Sequence, residues 1–148
     1  MRPFPPDFSD FLRLLNDHEV DYLLIGGYAV GFHGYPRATG DMDIWVGVSE
    51  KTAQRLVEVL TEFGFSEGVT QELFLRPRCI VRLGHPPNRL EVTTFIDGVG
   101  FEDCYQRRII AHAGEVPVNV IGLDDLRKNK KASGRHKDLA DLENLPES

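Results

Sequence analysis

Apolar residues recur along the chain with two different periods, which predicts a fold that mixes helices with strands. Phe8, Leu12 and Leu15 recur at helical spacing, so we expect an amphipathic helix over residues 7–17. Ser49 is placed to cap a helix over residues 50–63, and Gly64 to end it. The remaining pattern predicts strands at 21–25, 79–83, 89–95 and 116–121, and helices at 28–33, 123–131 and 135–145.

The clearest strand is residues 41–48, where apolar and polar side chains alternate. Its apolar face is made of Met42, Ile44, Val46 and Val48. Its other face carries Asp41, Asp43 and Trp45. Residues 84–88, Gly-His-Pro-Pro-Asn, separate the two strands that follow and are typical of a hairpin-like turn.

Asp41 and Asp43 stand two residues apart on this strand, so their side chains project from the same face. Two carboxylates held together repel each other unless a cation neutralises them, and oxygen ligands suit a hard ion such as Mg²⁺ or Mn²⁺. The alternative is an edge strand whose acidic face is simply solvated. Both interpretations fit the Asp-x-Asp pattern alone.

A glycine pair, Gly26-Gly27, follows the predicted strand at 21–25 and opens a short helix. Glycine allows close approach of the backbone to a ligand, and free N–H groups at the start of a helix bind phosphate. A glycine pair is more often only a turn. Together with the paired acids, however, it predicts a site for a nucleoside triphosphate and a metal.

The distribution of charge restricts which classes of ligand are compatible with the sequence. The chain carries 17 Lys and Arg against 23 Asp and Glu, a net charge of −6, which makes non-specific nucleic-acid binding unlikely. Residues 127–137 nevertheless hold six Lys or Arg and no acid. This segment favours a small anionic ligand, although a solvated helix end would have the same composition.

Other features bear on location. No apolar run approaches the roughly 18–20 residues of a membrane span, and the first residues lack the apolar core of a secretion signal. Cys79 and Cys104 have no partner motif, which argues against a disulfide framework. We therefore expect a cytoplasmic protein that does not enter membranes.

The motifs resemble those of the nucleotidyltransferase superfamily related to DNA polymerase β. Its signature of an apolar residue, Gly-Gly or Gly-Ser, a spacer and Asp-apolar-Asp is matched by Ile25-Gly26-Gly27 and Asp41-Met42-Asp43-Ile44. The connector Arg37-Ala38-Thr39-Gly40 and the closing segment 130–142 are similar to those of small bacterial members. These members include ones that resemble abortive-infection and toxin–antitoxin nucleotidyltransferases.

The resemblance spans roughly residues 20–145 and implies a fold. It implies an α+β architecture in which a mixed, mostly antiparallel sheet has helices packed on one side. It also implies that residues 1–148 form a single minimal domain, with a leading helix at 7–17 and closing helices within 123–145.

The resemblance further implies a third carboxylate on a neighbouring strand. Glu91, in Arg89-Leu90-Glu91-Val92, is the best match, although many members have Asp here. Asp97 is the alternative, and Glu91 could also be an ordinary surface residue of its strand.

The implied chemistry is two-metal nucleotidyl transfer from an NTP, with Mg²⁺ or Mn²⁺ bound by the catalytic residues Asp41, Asp43 and Glu91. Gly26 and Gly27 would cradle the β and γ phosphates. The base of the NTP and the acceptor, which could be a protein, an RNA or a small molecule with a hydroxyl, are left open.

Five further side chains are expected around the nucleotide. Arg37 and Thr39 would either meet phosphate or orient Asp41. Lys130, Arg135 and Lys137 would either neutralise the triphosphate or hold the closing helix against the sheet. Asp138 and Asp141, three residues apart on that helix, are expected to pair with Lys or Arg rather than bind metal.

Two other functions remain open at this point. Little chain lies beyond the minimal fold, so the protein could be a non-catalytic relative that binds a nucleotide or a partner, such as an antitoxin component. It could also be a structural protein that has the fold but no ligand.

Overall fold

The computed structural model describes residue 1 and residues 4–147, and within them the chain forms seven helices and six strands. The helices are α1 (Pro6–Asp17), α2 (Gly26–Phe32), α3 (Glu50–Phe63), α4 (Gln71–Phe74), α5 (Phe101–Gln106), α6 (Leu123–Ser133) and α7 (His136–Asn144). The strands are β1 (Tyr22–Ile25), β2 (Asp41–Val46), β3 (Ile80–Leu83), β4 (Arg89–Thr93), β5 (Ile109–Ala113) and β6 (Val116–Val120).

The six strands form one mixed sheet in the order β3-β4-β2-β1-β6-β5. Three of the five neighbouring pairs are antiparallel, while β1 with β6 and β2 with β4 are parallel. The α+β prediction with a mostly antiparallel mixed sheet is therefore confirmed. β3 and β5 are the two edges of the sheet.

The core lies between the sheet and amphipathic helices. Met42 and Ile44 on β2 are fully buried, as the alternation predicts. Phe11 of α1 meets Phe63 of α3 edge to face, with ring centroids 5.3 Å apart. Burial of such rings supplies much of the stability that holds the sheet in place.

Local signals set the ends of α3. The Ser49 side chain accepts a hydrogen bond from the Thr52 N–H at 3.1 Å, and Gly64 ends the helix in the left-handed conformation at φ 110°. Both ends lie where the sequence predicts them. The hairpin of β3 and β4 around residues 84–88 is also confirmed.

The strand predicted over residues 41–48 is shorter than expected. β2 ends at Val46, and Val48 is 46% exposed rather than part of an apolar face. β2 ends where its pairing with β1 ends, at Val46 opposite Tyr22, and at the next residue, Gly47, a Cβ would come within 2.9 Å of the Phe101 ring. Phe101 also packs edge to face on Trp45, with centroids 5.3 Å apart, so Trp45 is a packing residue.

Three elements, α4, α5 and β5, were not predicted from the sequence. They contain only four, six and five residues. β5 also lacks a clean alternation, because Ile109 and Ile110 are both exposed.

The two cysteines are buried free thiols. None of the described helices combines the length and apolarity that crossing a membrane requires.

Candidate functional site

One row of side chains crosses four neighbouring strands. Pairing places Ile25 of β1 beside Asp43, Asp43 beside Glu91 of β4, and Glu91 beside Arg82 of β3. Because adjacent strands are about 4.8 Å apart, the Asp43 and Glu91 side chains are direct neighbours on one face. The predicted third carboxylate therefore lies beside the second acid of the Asp-x-Asp pair.

The glycine turn closes over Asp43. Gly26 has φ +68°, a conformation that suits glycine, and a Cβ on it would lie 2.8 Å from the carboxylate carbon of Asp43. The sequence predicts glycine here for approach to phosphate. The structure adds a second reason, which is approach to the acid itself.

The Asp43 carboxyl is poorly suited to carry a negative charge without a cation. Burial is the largest cause, and a hydrogen bond with Glu91 and the charges of Glu91 and Asp41 add to it. Together they raise the pKa of Asp43 to about 8, against a smaller opposing effect of Lys137. A positive charge bound next to Asp43 would lower this pKa and favour the ionised carboxylate.

Asp41 lies on the same face but is directed to a different partner. Arg89, its neighbour on β4, donates from Nε to Oδ1 at 3.0 Å and from Nη2 to Oδ2 at 2.8 Å. This two-pronged pair raises the pKa of Arg89. Glu91 also has an arginine partner, through a single contact in which its Oε1 lies 2.8 Å from the Arg82 Nε.

These two arginines affect how the acids could hold a metal. Within residues 1 and 4–147, no three Asp, Glu, His or Cys side chains are grouped around a common point. The donor chemistry of Asp41, Asp43 and Glu91 fits a hard divalent ion, because all three are carboxylates on adjacent strands. Binding by all three requires Asp41 to exchange Arg89 for the ion.

Side-chain hydrogen bonds hold the connector between α2 and β2 at two points. Arg37 donates to both oxygens of Asp141 on α7, at 2.8 and 2.9 Å. The Thr39 hydroxyl donates to the Asp41 carbonyl oxygen at 3.2 Å. A Cβ on Gly27 would lie 2.8 Å from the Thr39 hydroxyl and 3.2 Å from Arg37 Nη1. Thr39 thus helps to orient Asp41, and Arg37 lies over the glycine turn.

A buried ionic cluster joins α6 to α7. The Lys130 Nζ lies 3.2 Å from Asp138 Oδ1 and 3.1 Å from Asp141 Oδ2, and all three side chains are at most 5% exposed. Arg135 adds a 2.7 Å hydrogen bond to Asp138. The expectation that Asp138 and Asp141 pair with Lys or Arg is confirmed.

The same partners determine how these acids titrate. Burial alone would raise the pKa of both, but the net shift is downward. Hydrogen bonds and charge from Arg135 and Lys130 lower the pKa of Asp138, and those from Arg37 and Lys130 lower the pKa of Asp141. Lys130 therefore acts as a structural cation, one of the two roles that the sequence left open.

A cavity of about 440 Å³ opens above the acids. Its wall includes Gly26, Gly27, Arg135 and Lys137 as well as the three carboxylates. Lys137 is exposed and close enough for its charge to act on Asp43. The volume lies in the range of small-molecule sites.

Asp97, the alternative third carboxylate, lines this cavity from another position. It accepts a hydrogen bond from the Ser133 hydroxyl at 3.1 Å, whereas Glu91 is the acid paired directly with Asp43 across β2 and β4. The structure therefore brings Glu91 into contact with Asp43 and leaves Asp97 on the turn before α5.

The sequence reasoning did not identify Arg82 and Arg89 as site residues, although both line the cavity. One signal was present. Residues 73–90 contain four arginines and no acid, in a chain of net charge −6. The cationic character of this segment was therefore readable from the sequence, whereas its position beside the acidic strand was not.

Comparison with known proteins supports the fold. No protein-family model matches the chain, and no curated protein does. Among solved structures, the chain is similar to a Thermotoga maritima protein that bears the name "putative nucleotidyltransferase". The two are 15% identical, align over 96% of this chain and 94% of that one, and give a TM-score of 0.64. This likeness shows a shared nucleotidyltransferase-like fold and confirms that part of the sequence prediction.

Proposed function

We propose that the protein is a nucleotidyltransferase that moves a nucleoside monophosphate from an NTP to a hydroxyl acceptor. The observation that carries the proposal is the contact between Asp43 and Glu91, two carboxyl groups from adjacent strands under the Gly26 turn. A buried acid whose pKa is raised beside a second carboxyl group, open to a cavity of this size, is typical of a catalytic site rather than of a structural ion pair.

The proposed reaction forms one bond and breaks one bond. The acceptor oxygen attacks the α-phosphorus, and the bond from that phosphorus to the oxygen bridging to the β-phosphorus breaks. Pyrophosphate leaves with the bonding electrons, and the acceptor proton passes to Glu91 or to water. Asp41, Asp43 and Glu91 would hold Mg²⁺ or Mn²⁺, and bound divalent ions supply stabilisation of charge on the attacking and leaving oxygens.

The chain's own residues would position the nucleotide. Gly26 and Gly27 leave room for the β and γ phosphates, and Lys137 lies on the cavity wall as an exposed cation. Arg135 is 70% exposed, so its guanidinium can reach phosphate while it also contacts Asp138. Arg37 and Thr39 act mainly through the connector, by fixing the strand that carries Asp41.

Pyrophosphate release tests this function. The protein would be incubated with labelled ATP, CTP, GTP or UTP, Mg²⁺ or Mn²⁺, and pools of protein, RNA and small hydroxyl compounds. We expect the wild-type protein to transfer label from the NTP to an acceptor. Asp43→Asn and Glu91→Gln should abolish this transfer, whereas Asp97→Asn should retain it. Full activity of Asp43→Asn would contradict the proposal. Loss of activity in Asp97→Asn but not in Glu91→Gln would show that Asp97 rather than Glu91 is the third carboxylate of the site.

A second function is favoured by the arginine pairs. Asp41 is held by Arg89 and Glu91 by Arg82, so both acids already have cationic partners. This arrangement is compatible with a non-catalytic module that binds a nucleotide or a protein. Tight NTP binding without pyrophosphate release under every condition would favour this function.

We also propose that the chain belongs with the small bacterial members that resemble abortive-infection and toxin–antitoxin nucleotidyltransferases, and that it acts in the cytoplasm. The motifs at residues 37–43 and 130–142 support the first point, and the free thiols Cys79 and Cys104 support a reducing compartment. Such a protein would act on or with a protein partner. Affinity purification that recovers the product of a neighbouring gene is the test.

A further inference from the structure

The cavity continues past Glu91 onto the edge strand β3, and this extension is not used in the proposed nucleotide site. Ile80 and Arg82 lie on the same face as Glu91, because Arg82 pairs with Glu91 and Ile80 pairs with Thr93. Ile80 is 45% exposed and the Arg82 side chain 56% exposed, and both line the cavity. Phe95 lines the same end.

This end of the cavity is both cationic and apolar. The Arg82 side chain forms an ion pair through Nε with Glu91 and makes no side-chain hydrogen bond among the described residues. Arg78 stacks on the Phe95 ring, 4.2 Å from its centroid, and has no acidic partner within the described part of the chain. A guanidinium with free N–H groups beside apolar side chains suits a ligand that is partly anionic and partly apolar or flat.

The order of the strands assigns this end to the acceptor side. Along the sheet, the Gly26 turn comes first, followed by Asp43, Glu91 and Arg82. In an in-line displacement, the attacking and leaving oxygens lie on opposite sides of the phosphorus. With the triphosphate at the glycine turn, the attacking hydroxyl enters from β3.

We propose that Ile80, Arg82 and Phe95 form a subsite for an acceptor that carries a phosphate group on the molecule that bears its reactive hydroxyl. This inference rests on the proposed function. The Arg82 N–H groups not used on Glu91 bind the phosphate. Ile80 and Phe95 contact the acceptor's carbon skeleton, which leaves its hydroxyl next to Glu91.

The test uses methyl NMR on the full chain with labelled isoleucine δ1 methyl groups, without NTP or metal. Ribose 5-phosphate is the probe, and ribose is its phosphate-free match. Three isoleucines report position: Ile80 at β3, Ile25 at the glycine turn, and Ile110, which is 56% exposed on the opposite edge strand. We expect ribose 5-phosphate to shift Ile80 at least about threefold more than Ile25 or Ile110, and ribose to shift none of them.

Arg82→Gln should weaken the binding by about tenfold, the loss of one charge-assisted hydrogen-bonding group. Arg13→Gln is the matched control, since Arg13 is also 56% exposed and paired with an acid, Asp10. A shift at Ile25 but not Ile80, equal shifts with ribose, or unchanged affinity in Arg82→Gln would overturn the inference. Pyrophosphate release that depends on Asp43 is measured separately, so the subsite and the proposed function can fail independently.

Discussion

Gly26, at the start of α2, lies against Asp43 of β2, and any side chain on Gly26 would overlap the carboxylate. The glycine turn, which is the proposed phosphate cradle, and the acid pair are therefore one packed unit rather than two separate motifs. We therefore expect a substitution in one part of this unit to disturb the other.

Gly26→Ala should destabilise the protein by more than the strain of placing alanine at a positive φ, because the new Cβ would also overlap the Asp43 carboxylate. Gly68 is the matched control, because it has a similar φ of +74° against +68°, but a Cβ on it would have no atom within 4 Å. We expect Gly68→Ala to cost about 1 kcal/mol and Gly26→Ala about 2 kcal/mol more. Urea denaturation of both variants measures the difference, and equal costs would show that the contact with Asp43 is easily relieved.

Asp43 should make stability depend on pH. Its pKa is raised to about 8 in the folded protein, whereas an unfolded Asp titrates near about 4. Between these values the folded state holds the extra proton, so the free energy of unfolding falls as pH rises from 4 to 8. Asp43→Asn removes this dependence.

The measurement is urea denaturation of wild type and Asp43→Asn in EDTA at a series of pH values. The wild-type free energy minus that of the variant should decline across pH 4–8, with a slope no steeper than about 1.4 kcal/mol per pH unit. A constant difference would mean that Asp43 is ionised throughout this range.

Lys130→Met should be strongly destabilising. The lysine is the shared partner of two buried carboxylates, Asp138 and Asp141, and its loss leaves negative charge poorly compensated in the interior. Breaking a buried pair in this way costs about 3–5 kcal/mol. Lys131→Met, at the exposed next position of α6, should change the free energy of unfolding by less than about 0.5 kcal/mol. Thermal and urea unfolding of the two variants give the comparison, and similar small losses would contradict a structural role for Lys130.

Arg89→Gln should increase the affinity for Mn²⁺. The substitution releases both oxygens of Asp41 from the guanidinium, so the ion no longer competes with Arg89 for them. We expect a gain of roughly two- to fivefold, the size of a partly exposed ion pair. Isothermal titration with Mn²⁺ measures it.

Arg55→Gln is the control for the Arg89 variant. Arg55 is 30% exposed, close to the 33% of Arg89, and contacts Glu19 far from the acids. Its Mn²⁺ affinity should equal that of wild type. Weaker binding by Arg89→Gln would show instead that Arg89 positions Asp41 for the metal.

The parts of the fold that follow from local signals were predictable. Ser49 and Gly64 determine the ends of α3, and alternation in β2 separates the buried Met42 and Ile44 from the acids. The closing helices were predicted as well, with ends within two residues of the observed ones. These features depend on neighbours in the sequence.

The partners of the acids were not predictable in the same way. Asp41 meets Arg89 and Glu91 meets Arg82 because β2 lies beside β4, and β4 beside β3. That strand order depends on how the whole sheet assembles, and alternation within one strand does not determine it. The motif resemblance placed Asp43 and Glu91 correctly on neighbouring strands, yet it did not include either arginine.

The pair of Arg37 and Asp141 joins side chains that are 104 positions apart. A fragment cut after Gly134 would keep both glycines and all three proposed metal ligands, but the guanidinium over the turn would lose its anion. The last helix is thus as much a part of the framework of the candidate site as the strands are. A relative that lacks this helix could retain every diagnostic motif and still lack the ion pair that holds Arg37 over the glycine turn.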